Sequence, residues 1–307
     1  MIPIRPQNIT DIVDEYYFAV KSYAISKGWY VILKTWLDEY DYTFEKLIKA
    51  EHTELLNLKV LFDKDGTPEE FTKIYANFSN SSKGLSYLNV NGEKVKYSGI
   101  ELIDRLGITV CPYCNRTYVQ SIKNQNQYHK KRRTSEFDHF FPKSKYPFLA
   151  ISFFNLIPSC KTCNHIKGTH PIAFSPYDER INGQSLVEFK YNITGSDYLT
   201  NPKHVEIDID WKNQEFFKSN GKVLGLDDLY QNHNDIAQEI LLKRYVYNDS
   251  RIDELLEEYK GIFSSREEII QMITGNFIKD EDLGKRPLSK LTRDIARDVG
   301  FLKNKQA

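Results

Sequence analysis

The sequence predicts an α+β protein that is mainly helical, with a small central group of strands held together by four cysteines. Apolar residues recur at helical spacing towards both ends of the chain, whereas short strand-like runs and all four cysteines fall near its middle. The 307 residues include 42 basic and 42 acidic side chains and are 40% hydrophobic. This composition excludes a disordered protein, because it offers enough apolar surface to form a core.

The segment 1–84 is predicted to be helical. Apolar positions from Thr10 to about Lys27 follow helical spacing, and the pattern stops at Gly28. A second helical pattern runs over 43–58, and a third begins at 67–70. We expect these helices to form an N-terminal unit.

The segment 85–175 begins with a hairpin signal. Two short strand-like runs within 87–97 flank Asn91-Gly92, a pair suited to a tight turn. A short helix over 98–106, ended by Gly107, leads into the cysteine region.

The segment 176–307 is predicted to contain two strands followed by helices, and it could serve as a partner or regulatory region. The strands are expected at 185–193 and 204–211, and the helices at about 234–247, 251–262, 265–277 and 287–299.

The sequence also constrains location. No apolar run approaches the roughly 20 residues needed to cross a bilayer, and the N-terminus lacks the basic and apolar pattern of a secretory signal. We therefore expect a cytoplasmic protein without a membrane partner.

Charge is distributed unevenly. Between Arg105 and His170 there are eleven basic and two acidic residues, a net charge of +9, and the rest of the chain carries −9. A basic region of this kind attracts a phosphate backbone. We also consider that the acidic C-terminal part masks this region until a partner binds.

The four cysteines form two pairs, Cys111 with Cys114 and Cys160 with Cys163. In each pair, two intervening residues allow both thiolates to face one point, so the pairs predict a closed structural Zn²⁺ site. Two disulfides would not suit a cytoplasmic chain. Because such a site has no open coordination position, the zinc is expected to hold the fold and not to take part in a reaction.

Candidate catalytic residues lie between and beside the cysteine pairs. Asp138 and His139 occur in a strand-like run that ends at Pro142, and Asn155 precedes a second apolar run. Asn164 begins a short helix directly after the second cysteine pair. Strands are also expected on either side of the first pair, over 108–110 and 116–122.

Taken together, these motifs resemble the HNH endonuclease superfamily, also called ββα-metal or His-Me finger nucleases. The matching motifs are CxxC at 111–114, DHxxP at 138–142, NLxP at 155–158 and CxxCNxxK at 160–167, which cover about 60 of the 307 residues. The stretch after His139 and the additional segments are similar to the HNH subunits of Septu-type anti-phage defence systems, in which the nuclease is paired with an ATPase subunit. The resemblance implies a central ββα-metal core that hydrolyses DNA.

Phosphodiester hydrolysis requires a base, a hard cation and cationic groups that bind the backbone. His139 is the candidate general base, and Asp138 with the Asn164 amide oxygen would bind catalytic Mg²⁺ or Mn²⁺. The resemblance further implies that Asn155 holds the His139 imidazole. The predicted nucleic-acid-binding residues are Arg116, Lys130, Lys131, Arg132, Arg133, Lys143 and Lys167.

Strand geometry creates a difficulty for this assignment. Adjacent strand residues point to opposite faces, so Asp138 and His139 can share a pocket only if the strand bends or ends there. Pro142 favours such an ending.

Other interpretations of the sequence are possible. A non-catalytic zinc-knuckle protein that binds nucleic acid or acts as an adaptor would share the cysteines and the basic region. Asp178 with Glu188-Phe189-Lys190 loosely resembles a restriction-type metal site, although such spacing is common by chance. The alternating acidic residues over 206–210 fit the solvent face of a half-buried strand.

Overall fold

The computed structural model describes residues 1–89, 91–122, 124, 132–179 and 185–302. The chain divides into two compact units. The N-terminal unit comprises Pro3–Pro112 and Tyr118–Ile181, and the C-terminal unit comprises Met1–Ile2, Tyr113–Thr117 and Asn182–Ala307. About half of the described residues are helical, and the described strands form small antiparallel pairs, so the fold class is α+β.

The described helices of the N-terminal unit are α1 (Ile9–Ser26), α2 (Trp29–Asp38), α3 (Phe44–Lys49), α4 (His52–Leu61), α5 (Glu70–Ser79), α6 (Gly99–Leu106) and α7 (Lys161–Lys167). Its described strands are β1 (Leu85–Leu88), β2 (Lys94–Tyr97), β3 (Ser121–Ile122), β4 (Arg132–Arg133), β5 (Glu136–His139) and β6 (Leu156–Ser159). They pair in sequence order as three antiparallel two-stranded sheets.

Several elements with explicit sequence signals occur where they were predicted. Helix α1 matches the first pattern, and β1 pairs with β2 as the expected hairpin. Helix α6 has a capping box in which the Ser98 N–H donates to the Glu101 carboxylate at 2.8 Å, and Gly107 ends it with a φ of 63°. These caps satisfy backbone groups that would otherwise lack partners at the helix ends.

One prediction for the N-terminal helices was wrong, and one helix was not predicted. The single helix expected over 43–58 is divided into α3 and α4, because the backbone is extended at Ala50 and Glu51. No prediction was made for α2, whose buried residues Leu33, Trp36 and Leu37 do follow helical spacing.

The core of the N-terminal unit contains an aromatic cluster around Tyr16 of α1. Its ring lies 5.4 Å from Phe78 of α5 and 5.5 Å from Phe153, and its hydroxyl donates to the Ile151 carbonyl at 3.0 Å. Phe78 also lies 5.4 Å from Phe137 of β5. Helix α5 is thereby packed against the strand that carries the candidate catalytic residues.

The C-terminal unit contains strands β7 (Val187–Ile193) and β8 (Val205–Trp211) and helices α8 (Gln214–Phe216), α9 (Leu226–Tyr230), α10 (Asn234–Val246), α11 (Asp249–Glu258), α12 (Arg266–Thr274) and α13 (Ser289–Asp298). A π-helical turn over Phe217–Gly221 follows α8. The two strands and the four longer helices lie close to their predicted positions.

Strand β8 has one buried and one solvent-facing side. Val205, Ile207 and Ile209 are buried, whereas Glu206 and Asp208 are exposed, as expected for an ordinary half-buried strand. Helix α13 packs on β7, where the Asp294 carboxylate accepts the Phe189 N–H at 3.1 Å.

Residues 113–117 also belong to the C-terminal unit. The Asn115 side chain accepts the Lys290 N–H at 3.0 Å and donates to the Leu283 carbonyl at 2.8 Å. The Tyr230 hydroxyl donates to the Cys114 carbonyl at 2.5 Å. These bonds fix the tip of the first cysteine pair through groups that are distant in sequence.

Within the described ranges, no helix combines the length and the hydropathy that crossing a bilayer requires.

Candidate functional site

The candidate residues lie on three consecutive elements in the order strand, strand, helix. Strands β5 and β6 are antiparallel, with Asp138 opposite Ile157 and His139 opposite Leu156. Helix α7 begins directly after Cys160 and packs against β5. Residues far apart in sequence are therefore held by two short strands and one helix.

The four cysteines are brought together as predicted. Their sulfur atoms lie within 4.8 Å of one another, and all four residues are buried. The Cys160 N–H points to the Cys111 sulfur at 3.3 Å, and the Arg116 N–H points to the Cys114 sulfur at 3.4 Å. Four thiolates around a tetrahedral zinc would be about 3.8 Å apart, given a zinc–sulfur distance of about 2.3 Å. This donor set could hold a metal such as zinc.

The strands expected beside the first cysteine pair are shorter than predicted. A single bridge joins Val110 to Tyr118, and the Val119 N–H donates to the Thr109 carbonyl at 2.9 Å. The next strand, β3, contains two residues. A tight turn between cysteines leaves little room for a longer ladder.

Asp138 lies on the side of β5 that faces α7. Its carboxylate pairs with the Lys167 ammonium at 3.0 Å, and the same ammonium donates to the His139 carbonyl at 3.0 Å. Both side chains are buried, at 2% exposure for Asp138 and 0% for Lys167. Lys167 was predicted to contact a DNA phosphate. In this structure its buried ammonium instead neutralises the Asp138 carboxylate.

Asn164 and Glu136 lie beside this pair. The Asn164 amide donates to the Glu136 carboxylate at 2.5 Å. Glu136 and Asp138 share one face of β5, and Asn164 and Lys167 share the facing side of α7, because they are spaced by two and by three residues respectively. Two carboxylates and one amide oxygen match the ligand chemistry of Mg²⁺. In this structure, however, the Asn164 amide nitrogen faces Glu136 and the Lys167 ammonium pairs with Asp138.

His139 lies on the other side of β5. Its Nε2 is 3.1 Å from the Ala150 carbonyl, and its ring lies 4.4 Å from the ring of Tyr75 of α5. Strand β5 does end at His139, but both candidate residues remain in register with β6. Because adjacent strand residues point to opposite faces, the carboxylate and the imidazole leave β5 on opposite sides, although the Lys167 ammonium bonds both residues.

The surroundings of His139 favour the neutral form of its imidazole ring. Burial, together with the nearby charges of Lys143 and Lys167, lowers its pKa to about 3, so the ring is neutral at physiological pH. A neutral ring that bonds a carbonyl through Nε2 carries its proton there and leaves Nδ1 as the acceptor.

Asn155 is fully buried and bonds backbone groups. Its Oδ1 accepts the Phe141 N–H at 2.7 Å, and its Nδ2 donates to the carbonyls of Phe141 at 3.1 Å and Leu149 at 2.9 Å. The expectation that Asn155 holds the imidazole directly is corrected by these bonds. Its amide group instead ties together both ends of the loop that leads from His139 to Ala150.

The predicted nucleic-acid-binding residues differ in accessibility. Arg132 and Lys143 are exposed. Arg116 is half-buried, donates to His233 Nε2 at 2.9 Å and is therefore committed within the C-terminal unit. Arg133 is also half-buried and donates to the Ser79 carbonyl at 2.7 Å. Lys130 and Lys131 lie outside the described residues.

Two further groups that contact His139 could not be identified from sequence motifs. Tyr75 belongs to the N-terminal helices, and the Ala150 carbonyl is a backbone group without a side-chain signature. The helical period of α5 marks Tyr75 only as a residue of the buried face.

Comparison with known proteins gives one match. Over 67 residues the chain is 42% identical to the Septu protein PtuB of Bacillus thuringiensis. That stretch is 20% of this chain and 25% of the relative, so the similarity spans a quarter of the relative's length. No protein-family model matches the chain, and no solved structure matches it.

Proposed function

We propose that this chain is a metal-dependent HNH endonuclease that hydrolyses phosphodiester bonds in DNA. The observation that carries the proposal is the arrangement of His139, whose Nε2 bonds a backbone carbonyl, so that Nδ1 is the nitrogen left to accept a proton. The order β5, β6, α7 beside the cysteine cluster adds support, since it is the order that the resemblance implies.

In this proposal His139 is the general base. Its Nδ1 accepts a proton from the water that attacks phosphorus, and the Ala150 carbonyl keeps the ring in the required tautomer. Burial keeps the imidazole neutral and able to accept a proton, and the same burial lowers its strength as a base. Asn155 acts on His139 through the backbone, by fixing the loop that presents Ala150.

Asp138 and Asn164 would hold the catalytic Mg²⁺ or Mn²⁺, with Glu136 beside them. When bound, such an ion stabilises negative charge on the phosphoryl and leaving oxygens. The exposed cations Lys143 and Arg132 would contact the DNA backbone. The cysteine cluster, holding zinc, would fix the start of α7 and take no part in the reaction.

The biological setting that we propose is anti-phage defence together with an ATPase partner. Support comes from the similarity to the Septu protein PtuB and from the motif pattern of Septu-type HNH subunits. In this setting the segment 176–307 would provide a partner or regulatory surface, and its acidic charge could mask the basic region.

One observation favours the alternative of a non-catalytic zinc-knuckle protein that binds nucleic acid or acts as an adaptor. The Asp138 carboxylate is neutralised by Lys167, which suits a structural ion pair. That alternative predicts DNA binding without cleavage.

The test is plasmid cleavage with Mg²⁺ or Mn²⁺ by the full chain, compared with His139→Ala. The exposed His170→Ala is a matched control for loss of an imidazole. We expect the His139 variant to lose a factor of about 10² to 10⁴ in rate, the usual contribution of a general base, and the control to cut normally. Binding without cutting by all three proteins would instead support the alternative.

A further inference from the structure

Tyr75 connects the N-terminal helices to the candidate site. It lies on α5, is 8% exposed, and meets the His139 ring edge to face at 4.4 Å with an interplanar angle of 64°. Its hydroxyl lies 3.4 Å from the Phe137 carbonyl of β5. Tyr75 thus contacts β5 at both Phe137 and His139, and its ring limits rotation of the imidazole.

The same ring also holds a cation. The Lys143 ammonium lies 4.5 Å from the centre of the Tyr75 ring, a distance typical of a cation–π contact. Lys143 is exposed, and its charge is among those that act on His139. One aromatic side chain therefore contacts both the candidate base and an accessible positive charge.

A phosphodiester substrate requires both of these groups. The base must be aimed at the attacking water while a nearby cation holds a phosphate oxygen, and small misplacements are costly. Lys143 is not fixed by β5, because it lies on the loop beyond the strand and has a flexible side chain.

We propose that Tyr75 is a positioning residue of the nuclease site, which holds the His139 imidazole and the Lys143 ammonium in register for one phosphate. This inference rests on the proposed function. It makes the N-terminal helical segment part of the active site, in addition to any role in binding a partner.

The test compares Tyr75→Leu, Tyr75→Phe and Lys143→Gln for plasmid cleavage, with kcat and KM measured separately and the folded fraction measured by thermal unfolding. Tyr75→Leu should lower kcat by about tenfold or more and also raise KM, because both groups lose their support. Tyr75→Phe keeps the ring and should restore most of the lost rate. Lys143→Gln should act mainly on KM.

Phe71→Leu is the matched control, because Phe71 is a fully buried aromatic residue of the same helix, and its ring packs on Trp36. Equal losses in Phe71→Leu and Tyr75→Leu, or wild-type kinetics for Tyr75→Leu, would overturn the inference while wild-type cleavage and its dependence on His139 persist. Absence of wild-type cleavage would instead overturn the proposed function and the inference with it.

Discussion

The two faces of strand β5 differ in how their groups are held. Towards α7, Asp138 is closed off by a buried ion pair with Lys167. Towards α5, His139 is held by a backbone carbonyl and an aromatic ring. The two residues are thus held differently, the candidate base by neutral groups and the candidate metal ligand by the charge of a buried lysine. The proposed metal binding would require that lysine to leave Asp138.

Removal of the cysteine cluster should disturb both faces, and this is the largest expected effect. Cys160 precedes α7 directly, and its sulfur lies with the other three. Since zinc binding by such sites contributes on the order of 10 kcal/mol to folding, Cys160→Ser should purify without stoichiometric zinc and unfold at a much lower temperature. Metal analysis and thermal unfolding check this. If the wild-type protein were as stable without metal as with it, this prediction would be contradicted.

Lys167→Met tests the face towards α7 alone. Loss of one partner from a buried ion pair costs about 3–5 kcal/mol, because the remaining charge is buried without compensation. The double variant Asp138→Asn/Lys167→Met should lose less than Lys167→Met, which urea unfolding would measure.

Added Mg²⁺ provides a second measurement on these variants. If Asp138 is a metal ligand, Mg²⁺ should recover part of the stability of Lys167→Met and none of that of the double variant, since only a ligand that binds the folded state stabilises it. If Mg²⁺ stabilised both variants equally, Asp138 would not be a metal ligand.

Asn155→Ala tests whether the loop that Asn155 holds positions His139 on the side of β5 that faces α5. The change removes three hydrogen bonds to a buried loop and should cost about 2–3 kcal/mol, because the backbone groups are left unsatisfied. If the loop positions His139, cleavage per folded molecule should also fall. Unfolding and cleavage measured on the same samples distinguish the two effects, and an unchanged rate would limit Asn155 to stability.

The smallest effect is expected for DNA binding, where an exposed arginine should behave differently from one that is bound within the protein. Arg132→Gln should reduce the salt dependence of DNA binding by about one phosphate contact. Arg116→Gln should leave that slope unchanged, because Arg116 is bound to His233. Binding measured across a range of salt concentrations tests both, and equal slopes in the two variants would remove this distinction.

Local signals explain which parts of the fold were predictable. Ser98, Glu101 and Gly107 define α6 because caps act through near neighbours, and the cysteine spacing predicted their convergence. The break between α3 and α4 left no such trace, because the buried face continues through His52. A sequence pattern shows which face is buried but not where the backbone changes direction.

The sequence motifs predicted which residues form the candidate site but not which groups those residues contact. The motif residues 138, 139, 155 and 164 do fall on the strand, strand and helix region, yet the partners of Asn155 are backbone atoms and Lys167 is buried. Tyr75 could not be found from the motifs, since its role depends on the tertiary packing of α5 on β5. Contacts of this kind arise only when distant segments meet.

In the proposed reaction, the Nδ1 of His139 removes a proton from the attacking water. The most direct test is single-turnover cleavage of a duplex by His139→Ala with and without added imidazole. We expect almost no cutting by the variant alone and partial recovery as imidazole increases. Wild-type rates for His139→Ala without imidazole would contradict the claim.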